Sequence, residues 1–380
     1  MIFINGRCLI GDDFQESAVR IEEGRIREIG RDLRAAPGEE VIDLAGNYLV
    51  PGFVDIHVHG ARGRDTMDNA ADAFATICDY HASGGTTSLL LTTATAPIEQ
   101  ITWVIEAVAA ARHDAIAGVH VEGPFISKEK AGAQRQEFIC DVDMTSVEWL
   151  AKHSNIVRRV TLAPELPGAF AATSVFAAAG ICVSGGHSNA WDEEARGAFE
   201  CGMRSVTHTF NCMSSARRRG VERVAGLLEF ALSEPEIVCE LIADGHHVST
   251  TLMRMLYRAK GPGGICLVTD ATAGAGLPEG AKFSLAGRDC VVRGGVCLLA
   301  DGSALAGSAA RMIDLVRVMV RQVGLPFPEA IAMASINPAR LVGLADRGVI
   351  EIGKRADLVV LSKELEVVQT VVAGQEAYPK

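Results

Sequence analysis

This 380-residue chain has no unbroken apolar run, no paired-cysteine pattern and no excess of positive charge, and each absence narrows its function. Lys and Arg number 36 against 47 Asp and Glu, a net charge of −11, so neither nucleic acid nor an anionic membrane surface is expected as a main partner. The ten cysteines are scattered, with no Cys-X-X-Cys pair. That spacing fits reduced thiols in the cytoplasm better than a secreted disulfide scaffold. The opening MIFINGRCLIG lacks the basic end, long apolar core and small-residue cleavage site of a signal peptide, so export is not expected. Residues 82–98 carry no charge, but Ser83, Gly84, Gly85, several threonines and Pro97 interrupt them, which argues against a membrane span. No Gly-X-Gly-X-X-Gly follows the first strand of the alternating region, which weakens a dinucleotide-binding reading.

What is present is a change of grammar along the chain. Residues 1–50 read as short strands with tight turns; AVRIEEGRIREIG alternates around Glu23-Gly24 in the manner of a hairpin. Residues 351–380 look similar, so the two ends are expected to form one small β-sandwich domain. Between them, residues 51–350 alternate short apolar runs with Ala-rich segments of helical length. The runs are 53–60, 86–93, 116–123, 157–165, 181–188, 205–212, 238–245 and 265–271. Eight strands alternating with helices predict an α/β fold, and the number eight favours a closed (β/α)8 TIM-like barrel over an open sheet. AKFSLAGRDCVVRGGVCLLADG reads as a hairpin inserted at about residues 281–303, a wall or lid of the site.

The stretch VPGFVDIHVHG places His57 and His59 two positions apart, hence on one face of a strand. Alone, such a pair fits a wet strand end as well as a metal site. His57, His59, Glu122, His187, His208, Asp244 and Asp270 all fall at the carboxyl ends of predicted strands, where barrels place their chemistry. Any one of them fits a strand-end cap; so many on one rim point to a metal centre. Four imidazoles and carboxylates suit one or two divalent ions of the zinc, iron or manganese kind, zinc first. Such an ion lowers the pKa of water toward neutrality, which is hydrolase chemistry.

With these residues in place, the chain resembles the amidohydrolase superfamily of metal-dependent hydrolases. The ordered strings HVEGPFIS, GGHSNA, THTFNCM, LIADGHHV, LVTDA and LAGS resemble, within it, the family of N-acetylglucosamine-6-phosphate deacetylases. The resemblance implies a main metal site of Glu122, His187 and His208, with Glu122 replacing the carboxylated lysine of other superfamily members. The predicted fourth strand, VRRVTLAPE, has no lysine. Some deacetylases of the family lack the His-X-His; its presence here opens a second site at His57 and His59, with Glu122 or a hydroxide bridging. The family further implies Asp270 as general base and acid, first taking a proton from the attacking water and then delivering it to the departing amine. His247 would polarise the carbonyl or hold the sugar, while His246 is a loop or packing residue. Asn211 and the backbone of Cys212 are implied substrate contacts, with no nucleophilic role for the thiol.

The match frays at the substrate phosphate. In place of the family's His-His-Arg-Glu-Pro-Gly stretch this chain has SSARRRGVER. Counting from His208 places Arg219 on the phosphate-binding arginine, with Arg217 and Arg218 as alternatives and a solvated surface run as the plain one. Gln134, in GAQ, is a candidate for phosphate or sugar. The resemblance implies a small-molecule amino-sugar phosphate as substrate and a homodimer, with the arginine reaching a neighbouring site. N-acetylgalactosamine 6-phosphate and unphosphorylated N-acyl sugars or amides remain alternative substrates. A non-catalytic relative should have lost ligands, and all six are present.

Overall fold

The computed structural model describes residues 1–68 and 70–379. Eight parallel strands form the central sheet: β1 Phe53–Val58, β2 Thr86–Thr93, β3 Ile116–Glu122, β4 Val157–Leu162, β5 Cys182–Gly185, β6 Met203–Val206, β7 Val238–Leu241 and β8 Ile265–Leu267. They are hydrogen-bonded in sequence order. The remaining gap between first and last strands is spanned just beyond their ends, where Val58 bridges Ala271 and the Asp270 N–H donates to the His57 carbonyl at 2.9 Å. The eight expected runs are the eight barrel strands, and the closed form is the one adopted.

These strands are buried on both faces, but the two faces differ. On β3, Val119 and Val121 join the main hydrophobic core while His120 and Glu122 alternate with them. On β4, Val160 and Leu162 alternate with Arg159 and Thr161; on β7, Cys239 and Leu241 flank Glu240. A period of two thus sends apolar side chains outward to the helices and polar ones into the barrel. The interior is cross-linked rather than greasy: the Thr161 and Ser184 hydroxyls each lie 2.7 Å from that of Thr207. The helices Ala71–Ala82, Ile98–Ala110, Met144–Lys152, Ala169–Ala178, Asp192–Glu200, Leu227–Ser233 and Thr250–Lys260 follow the first seven strands in turn. Met312–Val318 serves β8, after the insertion.

Both chain ends share one mixed sheet with its own core of Phe3, Val19, Ile26, Leu49 and Leu358. Asp13–Glu22 and Arg25–Gly30 pair antiparallel with Glu22 opposite Arg25, and Glu23 and Gly24 both take positive φ (51° and 73°). That is the two-residue turn whose twist suits a hairpin. The insertion has one strand more than expected: Lys282–Leu285, Arg288–Arg293 and Val296–Leu299 form a three-stranded antiparallel sheet. Its turns, Ala286-Gly287 and Gly294-Gly295, repeat the positive-φ pair. The first of them has the same X-Gly form as Glu23-Gly24, and the sequence reading passed over it by assigning a single hairpin to the segment. Phe283, Leu285 and Cys290 pack this sheet against Ala133, beside Gln134. No helix among the described residues is long and apolar enough to cross a membrane.

Candidate active site at the carboxyl rim

His57 is the last residue but one of β1 and His59 follows the strand's end, so their alternation brings both Nε2 atoms to one point, 3.3 Å apart. Glu122 is the last residue of β3. His187 and His208 lie in the turns after β5 and β6, and Asp270 in the turn after β8. All three take left-handed backbone conformations, with φ of 44°, 31° and 48°. For residues other than glycine this is uncommon, and it turns the chain sharply off the strand so that the side chain faces across the mouth.

Two groups result, His57 with His59 and Asp270, and Glu122 with His187 and His208; within each, one ligand atom per residue lies within 4.8 Å of the others. All six side chains are buried. Glu122 joins the groups: Oε1 lies 3.2 Å from His187 Nε2, 3.3 Å from His208 Nε2 and 3.4 Å from His57 Nε2, while Oε2 lies 3.2 Å from His59 Nε2. Asp270 Oδ1 lies 3.5 Å from His57 Nε2 and 3.4 Å from His59 Nε2.

This donor set fits divalent metal. Two ligand atoms about 2.1 Å from a tetrahedral ion sit roughly 3.4 Å from each other, the spacing seen here. Imidazole nitrogens facing each other at 3.1 Å (His187 and His208) and 3.3 Å (His57 and His59) are also a poor arrangement for hydrogen bonding alone, since each contact needs one proton and one lone pair. Three of the four far ring nitrogens are held as ligands require: Nδ1 of His187 donates to the Lys130 carbonyl (2.8 Å), Nδ1 of His208 to the Asn211 carbonyl (3.1 Å) and Nδ1 of His57 to Glu240 (3.2 Å), while Nδ1 of His59 is buried without a hydrogen-bond partner among the described residues. Burial pushes the His59 imidazole down, but hydrogen bonds to Asp270 and Glu122 and their charges outweigh it and lift the pKa to about 9. His187 is raised as well, burial being outweighed chiefly by the Glu122 charge. Burial opposes ionisation of Glu122 and Asp270, yet the surrounding imidazoles hold both below the usual carboxylate range. A site that draws protons onto its histidines in this way also favours a divalent cation, which displaces them.

A cavity of about 260 Å³ opens above the cluster, lined by His59, Glu122, His187, His208 and Asp270 together with Gln134, Asn211, Cys212 and His247. His247 is braced by Asp244, whose Oδ2 accepts from Nδ1 at 2.7 Å and whose Oδ1 accepts the N–H groups of His246 and His247 at 2.9 Å each. The ring nitrogen left over is Nε2. His246 is exposed. Gln134 is turned to the cluster: its amide oxygen accepts the Thr95 N–H (2.7 Å) and its amide nitrogen donates to Glu122 Oε2 (2.6 Å). Gly132 in the same loop has φ +56°, and a Cβ there would lie 2.6 Å from Cys212 Sγ. A Cβ on Gly307 of the LAGS string would likewise lie 2.5 Å from the Asp270 carbonyl oxygen, and Ser308 donates its N–H to that carbonyl at 2.8 Å. LAGS therefore buttresses Asp270.

Arg219 is placed differently. It lies in the exposed hairpin Arg217–Arg219 with Glu222–Val224, pairs with Glu193, and stacks with Arg217 over the Trp191 ring, their guanidinium carbons 4.1 and 3.7 Å from its centroid. Neither these two nor Arg218 lines the cavity. Sequence reasoning also passed over two residues that shape the site, Glu240 and Arg159, charges inside predicted strands and so a visible signal; it placed Asp244 on the rim but did not pair it with His247.

A profile of the amidohydrolase family matches residues 48–377. The chain belongs to the amidohydrolase family. Among its members, the N-acetylglucosamine-6-phosphate deacetylase of Lysinibacillus sphaericus is 33% identical over 370 residues, 95% of this chain and 93% of that one. An N-acetylgalactosamine-6-phosphate deacetylase of Escherichia coli is 34% identical over 344 residues, 89% of each. The crystal structure of N-acetylglucosamine-6-phosphate deacetylase from Pasteurella multocida superposes with a TM-score of 0.92 at 31% identity, covering 99% of this chain and 98% of that one.

Proposed function

We propose that this amidohydrolase removes the N-acetyl group of N-acetyl-D-glucosamine 6-phosphate, releasing acetate and glucosamine 6-phosphate. The observation that carries the proposal is the convergence of six metal-ligating side chains on one rim, in a cavity that a general base and a braced imidazole also line. The relatives support the substrate: those named for the glucosamine compound align over more of this chain than the one named for the galactosamine compound, 95% against 89%.

Glu122, His187 and His208 would hold one divalent ion, and His57, His59 and Asp270 a second, zinc being our choice for both. Such an ion supplies Lewis acidity and makes hydroxide accessible at neutral pH. Asp270 accepts the proton of the attacking water and returns it to the amine nitrogen as the C–N bond breaks; a protonated amine leaves far more readily than its anion. His247 donates through Nε2 to the carbonyl oxygen as it gains charge, and Asp244 fixes the ring for that purpose. Gln134 holds Glu122 in line rather than meeting the sugar. Asn211 and the Cys212 N–H contact the sugar phosphate from the turn after β6.

The phosphate needs a strong cation, and among the described residues the cavity of one chain is lined by imidazoles but by no Lys or Arg. Arg219, which does not line its own cavity, suits the site of a second copy in a homodimer. The scattered cysteines, Cys212 and Cys239 among them free thiols, suit the cytoplasm.

The test is acetate release from N-acetylglucosamine 6-phosphate, its galactosamine epimer and the unphosphorylated sugars, alongside elemental analysis of the purified protein. The glucosamine 6-phosphate compound should give the highest kcat/KM and the metal content should approach two per chain. Preference for a free sugar would reject the phosphate assignment, and preference for the epimer would reject the glucosamine series.

A further inference from the structure

Beneath the ligand cluster, inside the barrel, Arg159 of β4 forms an ion pair with Glu240 of β7, both side chains fully buried. Glu240 is tied to the site through a single atom. Its Oε2 accepts from His57 Nδ1 at 3.2 Å and from the His208 backbone N–H at 3.0 Å. One carboxylate oxygen thus anchors a ligand from each group. Arg159 is itself held, Nη2 donating to Ser184 Oγ at 2.7 Å and reaching Ser205 Oγ and Thr207 Oγ1 at 3.4 Å. A buried carboxylate with no counter-charge does not stay ionised, so the guanidinium is what lets Glu240 act as an anion.

We propose that Glu240, charge-balanced by Arg159, is the positioning residue for the ion at His57, His59 and Asp270. The proposal rests on the two-ion reading above. A histidine that ligates through Nε2 must carry its proton on Nδ1, and the acceptor at Nδ1 selects that tautomer, aims the ring and raises its basicity. His57 needs such a device. Its Nε2 faces His59 Nε2 at 3.3 Å and Asp270 Oδ1 at 3.5 Å, and a small rotation would lose both. His187 and His208 use neutral carbonyl acceptors on the rim loops instead. Loss of Glu240 therefore falls unevenly on the two groups. The His57 group loses its anionic partner, whereas Glu122, His187 and the ring of His208 keep theirs.

Two variants separate reach from charge. Glu240→Asp keeps the charge beside Arg159 but draws the carboxylate back by one methylene from His57; Glu240→Gln keeps the reach and removes the charge. Zinc(II) content per chain and the Kd of each zinc ion, by competition with a chromophoric chelator, are measured with the melting temperature of the metal-free protein. The expected result is a second-ion Kd weakened about 10- to 100-fold, with the first ion and the metal-free melting temperature close to wild type in E240D. A purely structural ion pair would lower the metal-free melting temperature and weaken both ions alike, and that result overturns the proposal. Two zinc ions held at wild-type affinity in both variants overturn it as well. E240D carries the test should E240Q fail to accumulate. The double variant His57→Asn with His59→Asn distinguishes the underlying reading: if wild type binds one ion and this variant binds it equally well, the two-ion assignment falls, and the proposal with it.

Discussion

Replacing Asp244 with Asn tests how the site treats the carbonyl oxygen of its substrate. Asn in the same rotamer keeps an oxygen for the His246 and His247 N–H groups, 2.9 Å from each, so the loop retains its turn. It places an amide nitrogen where Asp244 Oδ2 accepted from His247 Nδ1 at 2.7 Å. Donor would then meet donor, and the ring relieves this by giving up its Nδ1 proton. In the native protein burial pushes the His247 pKa down, but the hydrogen bond that Nδ1 donates to Asp244, and the charge of that carboxylate, outweigh it and hold it above the ordinary histidine value. The native ring therefore stays protonated to higher pH than an unbraced histidine, and as a cation it meets the carbonyl more strongly than the neutral donor of the variant. Hydrogen bonds to a charged partner contribute about 1.5–3 kcal/mol against about 0.5–1.5 for neutral ones, a difference of about 1–2 kcal/mol. That corresponds to a kcat roughly 5- to 30-fold lower. The pH profile fixes the sign. A raised pKa keeps the imidazolium present to higher pH, so native kcat falls as pH rises through that value, and the variant should lack this alkaline limb. Acetate release, followed from about pH 6 to about pH 10 on metal-loaded protein, measures both. Native kcat with an unchanged profile in Asp244→Asn would refute the imidazolium role.

Asp270→Asn should lower kcat by about 10²- to 10⁴-fold, the range of a lost general base, while leaving the ion at Glu122, His187 and His208 in place by elemental analysis; turnover within a few-fold of native removes Asp270 from the proton path. Arg219→Ala should raise KM for the phosphorylated sugar with little change in kcat and none for the free sugar, and an unaltered KM would exclude Arg219 as the phosphate ligand. His81 offers a stability prediction remote from turnover. Burial pushes its pKa down to about 4, so it is neutral in the folded chain while the unfolded chain takes up a proton below about pH 6.5. Its contribution is present above about pH 6.5 and is lost as pH falls toward about 4, amounting to about 3 kcal/mol. Urea unfolding of wild type and His81→Gln should show a difference that shrinks or reverses over that window; parallel pH profiles would disprove it.

The barrel was legible because its signal repeats: eight apolar runs, each ending in a turn, leave little room for another sheet. The metal rim was legible because parallel strands put their carboxyl ends together, so that His57, Glu122 and Asp270, far apart in the chain, were predictable neighbours. What stayed hidden depends on direction rather than composition. Gln134 read as a candidate for phosphate or sugar, and it does line the cavity; its bond to Glu122 was not foreseeable, because an amide serves many partners and the loop's path decides which it meets. Counting from His208 marked Arg219 for the phosphate but could not show its surroundings: the segment folds back as a hairpin that pairs Arg217 with Val224 and lays the Arg217 and Arg219 guanidiniums on Trp191. The third strand of the insertion was missed although Ala286-Gly287 takes the same positive-φ pair as Glu23-Gly24: only one hairpin was assigned to the segment.

The polar interior and the strained rim depend on each other. His187, His208 and Asp270 each hold a left-handed backbone that costs of order 1–3 kcal/mol for a side chain with a Cβ. Each is held in place by bonds from elsewhere: the His187 ring by the Lys130 carbonyl, the His208 N–H by Glu240, and the Asp270 peptide by His57 on one side and Ser308 on the other. Those partners sit on different elements, Glu240 and His57 on β7 and β1, Lys130 in the short helical turn Lys128–Lys130 and Ser308 in a loop, so relaxing one ligand would break contacts across the barrel mouth. The outward layer of Leu, Val and Ile supplies the stability that keeps the strands in register. Donors contributed by β1, β3 and the turns after β5, β6 and β8 can then meet before any substrate arrives, which is the preorganisation that charge stabilisation in a transition state requires.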